Sequence, residues 1–191
     1  MARRFLHHDA AFEHFLRERR IPYIAVDEAR RTLLPLSDAG QNAGRSLKSF
    51  DFLVSLPHQR LIVEVKGRTC KTGSSVGRRG PAMGTRLESW ATRDDVEGLQ
   101  AWQRLLGGPD HSFHAAMVFL YTCEGEPADT LFDEAFHFRS VWYGLRTVLI
   151  DEYAALMRPR SERWGTVDVA PLAFTSLHLP IRAAVRVARS A

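Results

Sequence analysis

Three residues able to do chemistry together occur in two short segments of the chain. Asp51 lies in segment 49–55, and Glu64 and Lys66 lie in segment 61–67. Carboxylate oxygens are the ligands that Mg²⁺ and Mn²⁺ prefer, and a lysine beside them can stabilise a developing negative charge. A divalent ion held by such residues activates water and neutralises charge on a phosphate. These residue types are therefore suited to the hydrolysis of a phosphodiester bond.

Both segments have the pattern of β-strands, whose side chains alternate between two faces of a sheet. Asp51, Glu64 and Lys66 then all fall on one face. The opposite face is wholly apolar in both strands, which predicts that it covers the core. The apolar residues are Phe50, Phe52 and Val54 in the first strand and Leu61, Val63 and Val65 in the second.

The register of these two strands decides whether the acids meet. If a short turn centres on Pro57 and His58, Phe52 pairs with Val63 and Asp51 lies directly opposite Glu64. A slip by one residue would send the two carboxylates to different faces and mix the apolar sets. Directly opposed residues have Cβ atoms about 5 Å apart. Two carboxylates that close repel each other unless a cation lies between them, so the pairing predicts a metal site.

The elements that would position these residues follow from the pattern along the chain. Apolar spacing predicts helices and β-propensity predicts strands in the order αβββαβ. This order is typical of an α/β or α+β fold with one mixed central sheet flanked by helices, in a single domain of residues 1–191 with C-terminal additions. The predicted elements are a helix at 4–19, strands at 22–27, 49–55 and 60–69, a helix at 93–106 capped by Thr92, and a buried strand at 114–123.

The C-terminal additions are predicted with less regular patterns. The predicted elements are strands at 139–143 and 146–150, a helix at 151–157 and a final edge strand at 164–169.

With this order of elements, Asp51 followed by Glu64-Val65-Lys66 resembles the motif of the PD-(D/E)XK phosphodiesterase superfamily, which has the restriction-endonuclease-like fold. The resemblance covers residues 5–123, and Phe50 stands where the name motif has proline. It implies that Asp51 and Glu64 bind Mg²⁺ or Mn²⁺ and that Lys66 assists catalysis. It also implies a nucleic acid, DNA above all, as the substrate.

Two further site residues are expected from the same resemblance. Many members carry an acid of the first helix at the metal, which makes Glu13 a candidate ligand and catalytic residue; a solvated helix acid is the equal alternative. Segment 7–13, His-His-Asp-Ala-Ala-Phe-Glu, is similar to the motif that names the HYExAFE family of planctomycete bacteria, with His8 and Asp9 as departures. Gln100 of the second helix is a candidate near the metal-bound water, or simply part of a polar helix face.

A basic segment begins directly after Lys66. The formal net charge is only +4, but no acid interrupts the basic residues between Gly67 and Thr85. Such a patch fits a polyanionic partner, although a solvated loop is the simpler explanation from charge alone. The expected phosphate contacts are Arg68, Lys71, Arg78 and Arg79, and a second basic cluster holds Arg158, Arg160 and Arg163.

The composition is that of a globular protein, with 45% hydrophobic and 25% charged residues. No apolar run is long enough to span a bilayer and the first 20 residues lack a signal-peptide core, so we expect a cytoplasmic protein without membrane contact. Cys70 and Cys123 are expected to be reduced, unrelated thiols.

The sequence thus predicts a metal-dependent nuclease, a DNA endonuclease that uses Mg²⁺ or Mn²⁺. The first alternative is a catalytically inactive nucleic-acid-binding protein of the same fold. The second is a structural protein or one that acts on small substrates. A homodimer is compatible with each of the three.

Overall fold

The computed structural model describes residues 5–26, 48–70, 87–107, 112–127, 131–132, 134–177 and 179–184. Among the helices within these ranges, none has both the length and the apolar character needed to cross a membrane. The elements are α1 (Phe5–Glu18), β1 (Tyr23–Ala25), β2 (Phe52–Leu56), β3 (Gln59–Cys70), β4 (Ala91–Thr92), α2 (Arg93–Gly107), β5 (Phe113–Cys123), β6 (Glu134–Phe138), β7 (Val141–Leu149), α3 (Ile150–Leu156), β8 (Met157–Ser161), β9 (Thr166–Val169), α4 (Pro171–Leu177) and a 3-10 helix (Ile181–Ala183).

The main sheet has six strands in the order β1-β2-β3-β5-β7-β6. Strands β3 and β5 run parallel, and every other neighbouring pair is antiparallel. Because α2 lies between β3 and β5 in the chain, it makes the crossover that a parallel pair requires. The predicted αβββαβ order and the mixed central sheet flanked by helices are confirmed, with the elements from β6 onwards as C-terminal additions.

Each face of the main sheet is covered by an apolar core. The core under α1 takes Leu61, Val63 and Val65 from β3, whereas Ile62 belongs to the core under α2. The alternation along β3 therefore places Glu64 and Lys66 on the α2 face, as the sequence predicts. That face is not open to solvent, because α2 buries Val96 and Leu99 against it; the same core includes Ala115, Met117 and Val167.

Two predictions for the C-terminal part are wrong. Val141–Leu149 forms the single strand β7 rather than two strands, because the turn falls earlier, at Arg139 and Ser140, whose φ angles are 48° and 63°. Strand β9 is central rather than at an edge, since it lies between β4 and β8 in a second sheet of three strands.

The two cysteines are direct neighbours, so the expectation of unrelated thiols is wrong. Cys70 and Cys123 are paired across β3 and β5, and both are buried free thiols. The Cys123 thiol donates a hydrogen bond to the Tyr121 carbonyl at 3.6 Å. Sequence separation concealed the pairing of the two cysteines, because it depends on the register of a parallel strand pair. Burial raises the pKa of the Cys70 thiol and raises the pKa of Cys123 to about 12.

We expect both thiols of the folded protein to resist alkylation at pH 8. A raised pKa keeps each sulfur protonated, and only the thiolate reacts. The rate of iodoacetamide labelling, followed by mass spectrometry in native buffer and in denaturant, checks this. Labelling of Cys123 at the rate of an unfolded peptide in native buffer would contradict the buried, protonated pair.

Candidate metal and catalytic site

The turn between β2 and β3 sets the register that sequence analysis predicts. From Phe52 to Leu56, each residue has the β3 partner expected. The ladder changes one residue earlier. The backbone N–H of Asp51 donates to the carbonyl of Val63 at 2.9 Å, and the Asp51 carboxylate accepts the N–H of Val65 through Oδ2 at 2.7 Å. Asp51 therefore lies just outside the regular pairing rather than in a simple cross-strand pair with Glu64.

This irregularity turns Phe50 to the other side of the sheet. Phe50 belongs to the α2 core and meets the Trp102 ring edge-to-face at 5.4 Å, whereas Phe52 belongs to the α1 core. The predicted common face of Phe50, Phe52 and Val54 is therefore wrong at Phe50. Strict alternation does not apply where the chain leaves the ladder.

The Asp51 carboxyl is costly to ionise in the protein without a metal. Burial, and then the neighbouring carboxylate of Glu64, raise its pKa to about 7, and Asp9 of α1 adds to the effect. The hydrogen bond from the Val65 N–H and the charge of Lys66 oppose this rise. A half-buried carboxyl beside a second acid is an arrangement that a bound cation would stabilise.

Glu64 and Lys66 belong to a buried ionic network with Asp95 of α2. The Lys66 ammonium lies 2.7 Å from Glu64 Oε1 and 2.8 Å from Asp95 Oδ2. Lys48 contacts Asp95 Oδ1 and lies 3.9 Å from Glu64 Oε1. Glu64 is 8% exposed and Asp95 3%. Burial lowers the pKa of Lys66, and the charge of Glu64 opposes that change.

Asp95 is fixed in this network by the start of α2. The Thr92 hydroxyl accepts the backbone N–H of Asp95 at 3.1 Å, and Asp95 Oδ2 accepts the N–H of Thr92 at 2.9 Å. This reciprocal pair is a capping box, which confirms the predicted cap at Thr92. One carboxylate thus caps a helix and holds the Lys66 ammonium.

Sequence reasoning missed Asp95 and Lys48 as site residues. The Thr92-x-x-Asp95 spacing could have fixed the orientation of the Asp95 carboxylate at the helix start. No signal in the sequence places that helix end beside Lys66, because this contact depends on how α2 packs on β3. Lys48 stands before β2 without a diagnostic pattern.

Glu13 is not brought into this group. Within the described residues its carboxylate pairs with Arg17 at 2.6 Å and accepts the Tyr23 hydroxyl proton at 2.6 Å. The α1 acid that interacts electrostatically with Asp51 is Asp9, one turn earlier in the helix.

The approach of α1 depends on a glycine directly after Lys66. A Cβ atom at Gly67 would lie only 2.4 Å from Nδ1 of His8, so the missing side chain lets the helix pack closely on β3. This contact brings the Asp9 end of α1 to the strand that carries Glu64 and Lys66.

Of the four predicted phosphate contacts, the structure describes only Arg68. Its guanidinium stacks on the Trp90 ring at 3.8 Å and donates to the carbonyls of Gly67, at 2.7 Å, and Trp90. These contacts hold Arg68 half-buried within the protein, and burial lowers its pKa. Gln100 is half-buried on α2. Outside the described residues lie Lys71, Arg78 and Arg79.

The donor set fits a hard divalent cation. Among the described residues, no three His, Cys, Asp or Glu side chains form a complete metal-binding group. Asp51 and Glu64 nevertheless supply two carboxylates, which is the protein share that Mg²⁺ commonly takes before waters and substrate complete its shell. The hydrogen bonds from Val65 and Lys66 engage Oδ2 of Asp51 and Oε1 of Glu64, so the second oxygen of each acid is the one we expect to bind a cation.

Comparisons with known proteins do not assign this chain to a family. No protein-family model and no curated protein matches it, so the resemblance to the HYExAFE family stays a prediction. Among solved structures, it is similar to Archaeoglobus fulgidus Hjc, a Holliday junction resolvase from an archaeal hyperthermophile. The identity is 13%, the TM-score is 0.49, and the match covers 93% of this chain and 96% of that one. A similarity this remote gives no information about the function of this chain.

Proposed function

We propose that this protein is a metal-dependent nuclease that hydrolyses phosphodiester bonds in DNA as an endonuclease. The observation that carries the proposal is the pair of carboxylates, the half-buried Asp51 and the buried Glu64, beside the Lys66 ammonium. A purely structural protein gains little from two neighbouring acids when burial, and then their mutual repulsion, raise the pKa of one of them to about 7. Perturbed acids of this kind concentrate at functional sites.

Asp51 and Glu64 would hold the ion, Mg²⁺ or Mn²⁺, through oxygens on two neighbouring segments of the chain. When bound, such an ion supplies an activated water and neutralises charge on the phosphate. The hydrogen bond from the Val65 N–H keeps Asp51 Oδ2 oriented, so the second oxygen of that carboxylate is presented without a free rotation of the side chain.

Lys66 would stabilise the negative charge that develops on the phosphate. Its ammonium is held between Glu64 and Asp95, so it is oriented before the substrate arrives, which is the condition for effective electrostatic catalysis. The described ion pairs of Asp95 are with Lys66 and Lys48. Its proposed part is to position Lys66.

Asp9 would be the acid of α1 at this site, in place of Glu13. Asp9 interacts electrostatically with Asp51, whereas Glu13 is held by Arg17 and Tyr23. We therefore expect Asp9 rather than Glu13 to act on the ion, either directly or through a bound water.

One observation favours the alternative of a nucleic-acid-binding protein without catalysis. Lys48 brings a second ammonium to 3.9 Å from Glu64 Oε1, and two lysines can compensate the acids without a metal ion. The same fold would then bind a phosphate backbone and leave it intact.

A cleavage assay separates the two. Linear, branched and single-stranded DNA, and RNA, are incubated with Mg²⁺, Mn²⁺ or chelator. We expect cleavage of DNA with either metal and none with chelator. Glu64→Gln should lower the rate about 10²-fold or more, an effect of the size seen for a charge-stabilising group.

The matched control is Glu97→Gln, the same substitution at an exposed position of α2, which should cleave like the wild type. Binding without cleavage under every metal condition would favour the inactive alternative. Cleavage that continues in chelator, or that Glu64→Gln leaves unchanged, would contradict the proposed nuclease site.

A further inference from the structure

The hairpin of β8 and β9 presents an aromatic side chain to solvent at its tip. Trp164 is 70% exposed, and the Arg163 guanidinium lies over its ring at 5.3 Å. Exposing a side chain this large gives up the stabilisation that its burial would provide. A tryptophan in this position therefore suggests a role in binding rather than in folding.

Two exposed arginines lie in the same hairpin as that ring. Arg160 and Arg163 are exposed, and Glu162 is the acid between them. Arg158, by contrast, is neutralised by Asp168 at 2.9 Å. Arg160 and Arg163 therefore give the tip a net positive charge next to an aromatic ring.

The basic and aromatic side chains continue from the hairpin to the strand of the candidate site. The Arg160 guanidinium lies 5.5 Å from the centre of the Trp90 ring, and Arg68 of β3 stacks on the same ring at 3.8 Å. Arg68 is two residues beyond Lys66. A polyanion bound at the hairpin would therefore lie beside the strand that bears Lys66.

The hairpin tip is also held against the start of α2. Gly165, with φ of 55°, makes the turn and donates its N–H to the Glu162 carbonyl at 3.1 Å. The Gly165 carbonyl accepts the N–H of Arg93 at 2.8 Å. Arg93 is two residues before Asp95, which contacts Lys66. The tip is thus a fixed feature near the ionic network.

We propose that this hairpin tip binds the DNA substrate at a single-stranded or unpaired part, with Trp164 stacking on a base and Arg160 and Arg163 contacting phosphates. The inference rests on the proposed nuclease function and adds a substrate class to it. Aromatic rings and arginines in one groove are the usual means of holding unpaired strands. A protein partner would favour a continuous apolar patch, whereas Trp164 is flanked by charged residues.

Binding is measured in chelator, so that it does not depend on cleavage, by fluorescence anisotropy of labelled single-stranded, branched and duplex DNA. Trp164→Ala should weaken binding of single-stranded and branched DNA about tenfold, the loss expected for one stacked base, with less effect on duplex. Arg163→Gln should weaken binding of all three and lower the salt dependence by about one ion. Leu172→Ala, at another exposed apolar side chain, 89% exposed, is the control and should bind like the wild type.

The outcomes separate this inference from the nuclease proposal. If Trp164→Ala binds DNA like the wild type while Glu64→Gln is inactive in the cleavage assay, the proposed DNA-binding role of the hairpin tip is overturned and the proposed nuclease function is supported. If Trp164→Ala loses binding but the wild type never cleaves, the surface stands and the nuclease is overturned. A change of oligomeric state in Trp164→Ala on gel filtration, with unchanged DNA binding, would assign the tip to a protein contact instead.

Discussion

Asp51→Asn is expected to abolish cleavage. In the absence of metal, the same substitution is expected to raise the free energy of unfolding at neutral and alkaline pH. A residue that only supports the fold would show the opposite, since its replacement would destabilise the protein. Asparagine keeps an oxygen that can accept the Val65 N–H, as Oδ2 of Asp51 does. It removes the charge that burial and Glu64 make costly.

The pH dependence has a definite sign. The pKa of Asp51 is raised from 3.8 to about 7, so the folded state binds this proton more tightly than the unfolded state does. The corresponding stability is fully present below pH 3.8 and is lost as the pH rises through 7. The whole loss is about 4 kcal/mol when the shift is converted to free energy. Asp51→Asn should retain that stability at pH 8.

Urea unfolding in chelator at pH 5 and pH 8 measures this difference. Glu97→Gln, at an exposed position, removes one carboxylate and should leave the wild-type pH dependence in place. Addition of Mg²⁺ should stabilise the wild type at pH 8 but not Asp51→Asn, because ligand binding to the folded state alone raises its stability. A variant that is less stable than the wild type at pH 8, or that still cleaves DNA, would refute the assignment.

The part of the site that could be predicted from sequence is the part that local rules determine. The turn at Pro57 and the alternation along β3 fix the pairing of Phe52 with Val63, and the same alternation puts Glu64 and Lys66 on one face. These inferences need only the period of a strand and the length of a turn. They therefore do not depend on how the rest of the chain packs.

The remainder depends on contacts between distant elements. Phe50 changes face because the Asp51 N–H leaves the regular ladder. No residue type in this segment predicts that irregularity. Cys70 and Cys123 meet because of the register between β3 and β5. The choice of Asp9 over Glu13 depends on the close approach of α1 at Gly67, a matter of packing rather than of motif.

Asp95 shows how one local rule and one tertiary contact combine. Its capping box with Thr92 is local and could be recognised in the sequence. The same box holds the carboxylate still, which lowers the entropy cost of binding the Lys66 ammonium. The order of the ionic network therefore comes from helix capping, and it should persist when no metal is bound.

Lys66→Met is expected to cost about 2–4 kcal/mol of stability in addition to abolishing cleavage. It leaves the buried Glu64 and Asp95 carboxylates with only the more exposed Lys48 ammonium to compensate them. This is the opposite sign from Asp51→Asn, although the two residues serve one site. Adding Asp95→Asn to Lys66→Met removes one of the two buried negative charges and keeps an oxygen for the Thr92 cap. The double variant should regain part of the lost stability and none of the activity.

Urea unfolding at pH 7 in chelator, with cleavage measured in parallel, tests this pair of effects. The control is Lys48→Met, which removes an ammonium whose side chain is 44% exposed, against 13% for Lys66; solvent screening should keep its cost below about 1 kcal/mol. Equal losses for Lys48→Met and Lys66→Met would show that burial does not set the strength of this network. A double variant no more stable than Lys66→Met would show that Asp95 acts only as a helix cap and does not position Lys66.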